Sequence, residues 1–179
     1  MEQANTRGVG RYTGLLMVDV NRFDATHNSA QQHQIIQLLP VVLREAAEQA
    51  RIPQLLQDND FHAFRGDGYF IGFDPDLAAK VVDRYFDALQ ANLRSRTPSL
   101  RAKGIELRLR ASLHVAPVHD YDRMIADSPT GSSANEAKRM VDANAVRALL
   151  QHSDPRVTLV ATVVSSDAMK HVVEAGLTS

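Results

Sequence analysis

Short apolar runs alternate along the chain with longer stretches in which apolar residues recur every third or fourth position. The first run, Leu15-Leu16-Met17-Val18 within Tyr12 to Val20, is brief and leads into polar residues, which predicts a buried strand. A polar loop, Asn21 to Asn28, follows. Asn28 or Ser29 can cap a helix over about 30–49, where Ile35, Ile36, Leu39, Val42, Leu43 and Ala46 share one face. Pro40 inside it predicts a kink or break, because proline removes a donor and crowds the preceding turn.

Asp60 to Arg65 and Tyr69 to Phe73 read as two strands around Gly66-Asp67-Gly68, a hairpin signature with glycine where positive φ is needed. Asp74-Pro75 opens a helix to about Ser95, with aspartate as cap and proline in the first turn. Arg94 to Gly104 reads as a basic connector, solvated along Arg94, Arg96, Arg101 and Lys103. In Leu107 to Val115, Leu107, Leu109, Ala111 and Leu113 alternate with Arg108, Arg110 and Ser112, the pattern of a half-buried strand. A long loop runs from Ala116 to Gly131, and Ser133-Ala134-Asn135-Glu136 is a capping-box pattern opening a helix to about Leu150. Arg156 to Val164 predicts a last strand, and Ser165 to Glu174 a short final helix. The order β α β β α β α β α predicts an α+β fold: a mostly antiparallel sheet with helices packed on one face. With no internal repeat and no Gly/Ser linker, residues 1–179 read as one domain, with 1–11 a flexible N-terminal segment.

Composition narrows the function. Of 179 residues, 44% are hydrophobic, enough for a core, and the net charge of −1 lacks the basic excess of a nucleic-acid binder. There is no cysteine, so neither disulfides nor thiolate metal sites are available. No apolar stretch has the length of a signal peptide or of a membrane span, roughly 20 residues. A cytoplasmic protein that does not insert into membranes is expected.

Two aspartates stand where hard-metal chemistry would want them. Asp19 ends an apolar strand and Asp67 sits at the tip of a glycine-flanked hairpin. If their strands are neighbours, the carboxylates converge at one edge of the sheet, a donor set suited to Mg²⁺ or Mn²⁺ and to displacement at phosphorus. Gly-Asp-Gly alone is an ordinary turn, so the pair and its context carry the argument. The loop at Asn21, Arg22 and Phe23 joins strand to helix, where backbone amides can meet phosphates, although it lacks P-loop glycines. Asn135 and Arg139, four residues apart, share a helix face distinct from the apolar one of Ala137, Met140, Val141, Ala148 and Leu149. An amide and a guanidinium so placed could orient a ribose and stabilise phosphate charge, although the spacing by itself is better explained by a solvated helix face. The seven histidines show no metal-binding spacing, and His114 in its alternating strand reads as structural.

Four segments taken together resemble the class III nucleotidyl cyclases. Asp19-Val20-Asn21-Arg22-Phe23 is similar to their Asp-Ile-x-x-Phe signature, and Phe64-Arg65-Gly66-Asp67-Gly68-Tyr69-Phe70 to their second metal motif. Arg110-Ala111-Ser112-Leu113-His114-Val115-Ala116-Pro117-Val118 resembles their Arg-Val-Gly-Ile-His-Thr-Gly-Pro-Val strand. Gly131-Ser132-Ser133-Ala134-Asn135-Glu136-Ala137-Lys138-Arg139-Met140 resembles their Gly-x-x-Val-Asn-x-Ala-x-Arg-Met helix. The segments come in family order across roughly 12–165. The resemblance implies a ferredoxin-like core and a head-to-tail homodimer with shared active sites. It implies two divalent ions, Mn²⁺ or Mg²⁺, on Asp19, Asp67 and the Val20 carbonyl, with Asn135 and Arg139 supplied by the partner subunit. It also implies that a nucleoside triphosphate contacts the 21–23 loop, with Arg110 as a possible phosphate contact. The reaction implied is attack of the ribose 3′-hydroxyl on the α-phosphorus, releasing pyrophosphate.

The family's adenine-reading Lys and Asp correspond to Ala63 and Ser128 here, and the Glu and Cys usual in guanylate cyclases are missing as well. A site built to read a base edge rejects other bases through unpaired polar groups, so losing both readers argues against a strict purine enzyme. Ala63, Arg65 and Ser128 are thus the expected base pocket. The compact domain is similar to the pyrimidine (uridylate and cytidylate) cyclases of Pycsar antiphage defence, whose cyclic product activates a separate effector. UTP is favoured over CTP. The family's C-terminal basic contact to the triphosphate has no counterpart placed after Met169, leaving Arg65 or a loop amide for that work. A cytidylate or adenylate cyclase is the nearest alternative. An inactive nucleotide-binding pseudo-cyclase is the alternative of another class, and a plain interaction domain ranks last. The Gly-Gly-Asp/Glu-Glu-Phe hairpin of diguanylate cyclases is absent.

Overall fold

The apolar run after Tyr12 becomes the centre of a five-stranded sheet. The computed structural model describes residues 11–118 and 131–177. Strand β1 (Arg11–Val20) is flanked by β3 (Gly68–Phe73) and β4 (Leu109–Val118), both antiparallel to it. β2 (Phe61–Phe64) pairs with β3, and β5 (Val160–Val164) runs parallel to β4, giving the order β2-β3-β1-β4-β5. Arg11 is already paired with Val118, and the rest of the N-terminal segment lies outside the described residues.

A four-residue turn, α1 (Phe23–Thr26), leads into α2 (Ser29–Gln49). Asn28 caps α2 as expected, its side chain accepting from the Gln31 amide while the Gln31 side chain accepts from the Asn28 amide. Pro40 is accommodated within the single helix α2 rather than ending it. After the short α3 (Gln54–Gln57) and the β2–β3 hairpin, Asp74 caps a 3₁₀ turn at Pro75–Leu77. The chain continues through α4 (Ala78–Lys80) and a π turn at Val81–Tyr85 into α5 (Phe86–Ala102).

The predicted basic connector is therefore helical. Leu93 and Leu100 are buried against the core, and the Arg96 guanidinium pairs with Glu45 of α2 at 2.5 Å. Polar residues and Pro98 mask this stretch in the sequence, but its apolar stripe continues at helical spacing.

The predicted helix to Leu150 is two helices, α6 (Ser132–Val141) and α7 (Asn144–Gln151), separated where Ala143 turns extended. The expected capping box does not form: Gly131 is the N-cap, and the Ser133 hydroxyl donates to the Pro117 carbonyl at 2.9 Å. The break shifts the register, so Val146 and Leu150 are buried while Leu149 is half exposed. β5 begins later than expected, at Val160, and α8 (Ser166–Leu177) closes the described chain.

Strand alternation sends Leu16, Val18, Val20, Leu109, Ala111 and Leu113 to one face, where α2 and α5 form the main core. Leu15, Met17 and Phe70 point the other way and pack on Ala134, Ala137 and Val141 of α6. The expected α+β class and mostly antiparallel sheet are present. The expectation of helices on one face describes α2 and α5, whereas α6 covers the opposite face of β1 and β4. Arg108, Arg110 and Ser112, expected on the polar side of a half-buried strand, are buried, as is His114: α6 and its C-cap cover Ser112 and Arg110, while Arg108 is met by the connection between α7 and β5. Ser112 donates to the Ala137 carbonyl at 2.9 Å, and His114 Nδ1 lies 2.8 Å from the Ser165 hydroxyl, a structural role as expected.

Candidate active site

The last residues of β1 set the site. Asp19 stands opposite Gly68 of β3 on one side and Arg110 of β4 on the other. One step further, the Val20 amide donates to the Asp67 carbonyl at 2.9 Å, and the Asn21 amide donates to the Arg108 carbonyl at 2.8 Å. The first bond holds the tip of the β2–β3 hairpin against the end of β1, and the second ties that end to the start of β4. The two predicted aspartates are thereby brought together, close enough for the charge and hydrogen bonding of Asp67 to act on the Asp19 carboxyl.

Arg110 donates from Nη2 to Asp19 Oδ2 and from Nη1 to Asp142 Oδ1, the latter at 3.1 Å. Asp142 Oδ1 also accepts from Arg147 Nη2 at 2.8 Å. A chain of alternating charge, Asp19–Arg110–Asp142–Arg147, thus runs from β1 to α7. The Arg147 hydrogen bond, with Arg110 behind it, holds the Asp142 carboxyl below the ordinary range. Burial pushes the Asp19 carboxyl up to about 7, with Asp67 and Asp142 adding to the rise and the Arg110 charge opposing it. Arg110 was expected as a possible phosphate contact, and here its guanidinium is held by two carboxylates.

Two cavities meet at this chain. One of about 780 Å³ is lined by the 21–25 loop, Asp67, Arg108, Arg110 and Arg147. Another of about 400 Å³ is lined by Asp19, Arg65, Asp67, Arg110 and Asp142. The loop residues expected to meet a triphosphate all face the larger one. Arg22 takes a left-handed conformation at φ 55°, exposing its side chain, while Phe23 is buried and anchors the turn.

Asp19 Oδ1 is buried and accepts from no N–H or hydroxyl donor, so an oxygen capable of ligation lies beside a second carboxylate. Among the described residues no group of three or more His, Cys, Asp or Glu forms a cation site. Two carboxylates without an all-protein cage fit an ion that takes its remaining oxygens from substrate phosphates and water. The residues present fit such ions.

Asn135 and Arg139 do not join this site within one chain. Both are exposed on α6, and Arg139 pairs with Glu136 one turn back. Ala63 is half-buried on β2, and the Arg65 guanidinium lies 5.9 Å from the Phe70 ring centre. Ser128 lies outside the described residues.

Asp142, Arg147 and Arg108 escaped the sequence reading. No sequence signal marked them: Asp142 lay inside the predicted helix, and Arg108 on the polar side of the predicted strand. Arg108 donates to the Thr158 carbonyl at 2.9 Å and the Ser153 hydroxyl at 2.7 Å.

No protein-family model and no curated protein matches the sequence. Solved structures do match in shape. The guanylyl cyclase Cya2 superposes with a TM-score of 0.52 at 14% identity, over 92% of this chain and 81% of that one. The adenylyl cyclase CyaB from P. aeruginosa gives 0.53 at 17%, over 92% and 82%. A bacterial light-regulated adenylyl cyclase gives 0.60 at 12%, over 89% of this chain and 44% of that one. The β1, hairpin and β4 arrangement that gathers Asp19, Asp67 and Arg110 is built within the fold of the class III nucleotidyl cyclases.

Proposed function

We propose that the protein is a nucleotidyl cyclase, converting a nucleoside triphosphate to its 3′,5′-cyclic monophosphate and pyrophosphate. The observation that carries the reading is the convergence of Asp19 and Asp67, with one buried carboxylate oxygen accepting from no N–H or hydroxyl donor, in a fold shared with adenylyl and guanylyl cyclases. Asp19, Asp67 and the Val20 carbonyl are the residues that would hold two divalent ions. Those ions supply Lewis acidity for the 3′-hydroxyl and charge neutralisation for the pyrophosphate leaving group.

The chain's own residues do the rest. Asn21, Arg22 and Phe23 bound the larger cavity and receive the triphosphate, with Phe23 holding the turn rigid. Arg110 and Arg147 bring positive charge to the same cavity. In a head-to-tail homodimer, Asn135 orients the ribose of the opposite site and Arg139 stabilises charge at the transferring phosphorus. Their exposure on α6 and their absence from the linings of both cavities support this trans arrangement.

UTP is the proposed substrate. Ala63 offers no polar group where a purine-reading lysine would stand, and Arg65 borders the cavity that holds Asp19. By the same likeness to the Pycsar pyrimidine cyclases, the product is a second messenger acting on a separate effector in bacterial antiviral defence, and the protein is cytoplasmic. No helix among the described residues is long and apolar enough to cross a membrane. The test is incubation with ATP, GTP, CTP and UTP separately in Mn²⁺, reading cyclic monophosphate and pyrophosphate. Cyclic UMP is expected. A cyclic purine would keep the mechanism and remove the base assignment, and no product from any of the four would overturn the cyclase reading.

A further inference from the structure

Arg110 stands in the position of a resident cation. Its Nη2 holds Asp19 Oδ2, the same carboxylate whose Oδ1 is buried and accepts from no N–H or hydroxyl donor. A divalent ion arriving at Asp19 meets a guanidinium already there, and the two positive charges repel. Arg110 has a second partner in place: Asp142 Oδ1, 3.1 Å from Nη1. Arg110 is nearly buried, with 9% of its side chain exposed, and Asp142 is 54% exposed at the cavity edge. The guanidinium can therefore leave Asp19 without losing ionic contact.

Asp142 is also placed against local preference. It is the C-cap of α6, where the helix dipole disfavours a carboxylate, and it accepts from Arg110 and Arg147 at once. The position is a poor one for the helix and a good one for holding two arginines. We propose that Asp142 is a positioning residue: it takes the Arg110 guanidinium when a divalent cation binds Asp19, so that cation and arginine do not compete for one carboxylate. The inference rests on the cyclase reading, because it requires Asp19 to be a cation ligand. Asp142 touches neither substrate nor cation in this role and acts through Arg110 alone.

The experiment is Mn²⁺ titration of nucleotide-free full-length protein, read by electron paramagnetic resonance of the unbound ion. Parent, Asp19→Asn, Asp142→Asn, Asp142→Glu, Arg110→Ala and the Arg110→Ala/Asp142→Asn double variant are compared, each checked for native circular dichroism. Asp142→Asn is expected to bind Mn²⁺ roughly fivefold more weakly, because Arg110 is then left on Asp19 alone. Asp142→Glu should recover most of the loss, and Arg110→Ala should bind more tightly than parent. In the Arg110→Ala background, Asp142→Asn should have little further effect, since the competitor is gone. An Asp142→Asn loss that persists undiminished without Arg110 would show direct action of the Asp142 charge and overturn the proposal. Parent-like binding by Asp142→Asn would overturn it too, leaving the cyclase reading intact. Parent protein that binds no Mn²⁺ in a manner sensitive to Asp19→Asn would remove the cation site, and the proposal with it.

Discussion

The Val20 amide donates to the Asp67 carbonyl at 2.9 Å, one step beyond the last paired residues of β1 and β3, Asp19 and Gly68. That single backbone bond presses the hairpin tip onto the strand end. It explains how two aspartates 48 positions apart in sequence numbering come to share one charged environment.

Removal of either carboxylate should therefore abolish chemistry without unfolding the protein. Asp67→Asn keeps the turn, because the backbone carbonyl makes the bond to Val20. Cyclase turnover in Mn²⁺ is expected to fall by at least about a hundredfold, with a thermal midpoint close to parent. Wild-type turnover in Asp67→Asn would remove it from the metal site.

Gly68 is where β3 and β1 approach most closely at the site. A Cβ at this position would lie 2.2 Å from the Val18 carbonyl oxygen and 3.0 Å from Asp19 Cα, both backbone atoms that cannot move aside. Gly68→Ala is expected to destabilise the protein by about 1–3 kcal/mol and to lower cation binding by displacing Asp19. Denaturant unfolding measures the first effect, and an unchanged midpoint would contradict the close approach.

Asp19 makes stability depend on pH in a stated direction. Its carboxyl is raised from 3.8 to about 7, so between those values the folded state holds more protons than the unfolded one. Stability from this group is present at low pH and is lost as pH rises through about 7. In metal-free buffer the thermal midpoint at pH 8 should fall below that at pH 5.5 by more in parent than in Asp19→Asn. The upper scale of the effect is roughly 1.4 kcal/mol for each tenfold gain in proton affinity on folding. Added Mn²⁺ should restore stability at pH 8 and do little at pH 5.5, where the proton competes. Identical pH profiles for parent and Asp19→Asn would contradict the raised Asp19 carboxyl.

Arg139 and Asn135 are exposed on α6 and line neither cavity beside their own chain's aspartates, which makes complementation informative. Asp67→Ala and Arg139→Ala proteins should each be inactive. Mixed, they should recover activity, about a quarter of parent if subunits exchange freely and one site of each mixed dimer is intact. No recovery from a mixed dimer confirmed by mass spectrometry would place Arg139 outside the partner's site.

Elements with local signals were legible in the sequence. The apolar run of β1, the glycine-flanked hairpin at Asp67 and the Asn28 cap each depend on neighbours within a few residues. The motif aspartates were legible for the same reason. The helix break at Asp142 and Ala143 was not, because the apolar spacing on either side continues plausibly across it. The helical character of 94–102 was hidden by its charge, and became visible only against the Glu45 and core partners that α2 supplies.

By itself the sequence determined most of the local elements that hold the candidate residues, since strand, turn and cap propensities act over short range. The tertiary structure alone decided who faces whom. The register of β4 on β1 set Arg110 against Asp19 across 91 positions, and α6 sealed that face from solvent so that an ordinary strand arginine became a buried cation. Pairing across a sheet is fixed by the collective packing of both faces, and no segment of the chain encodes it alone.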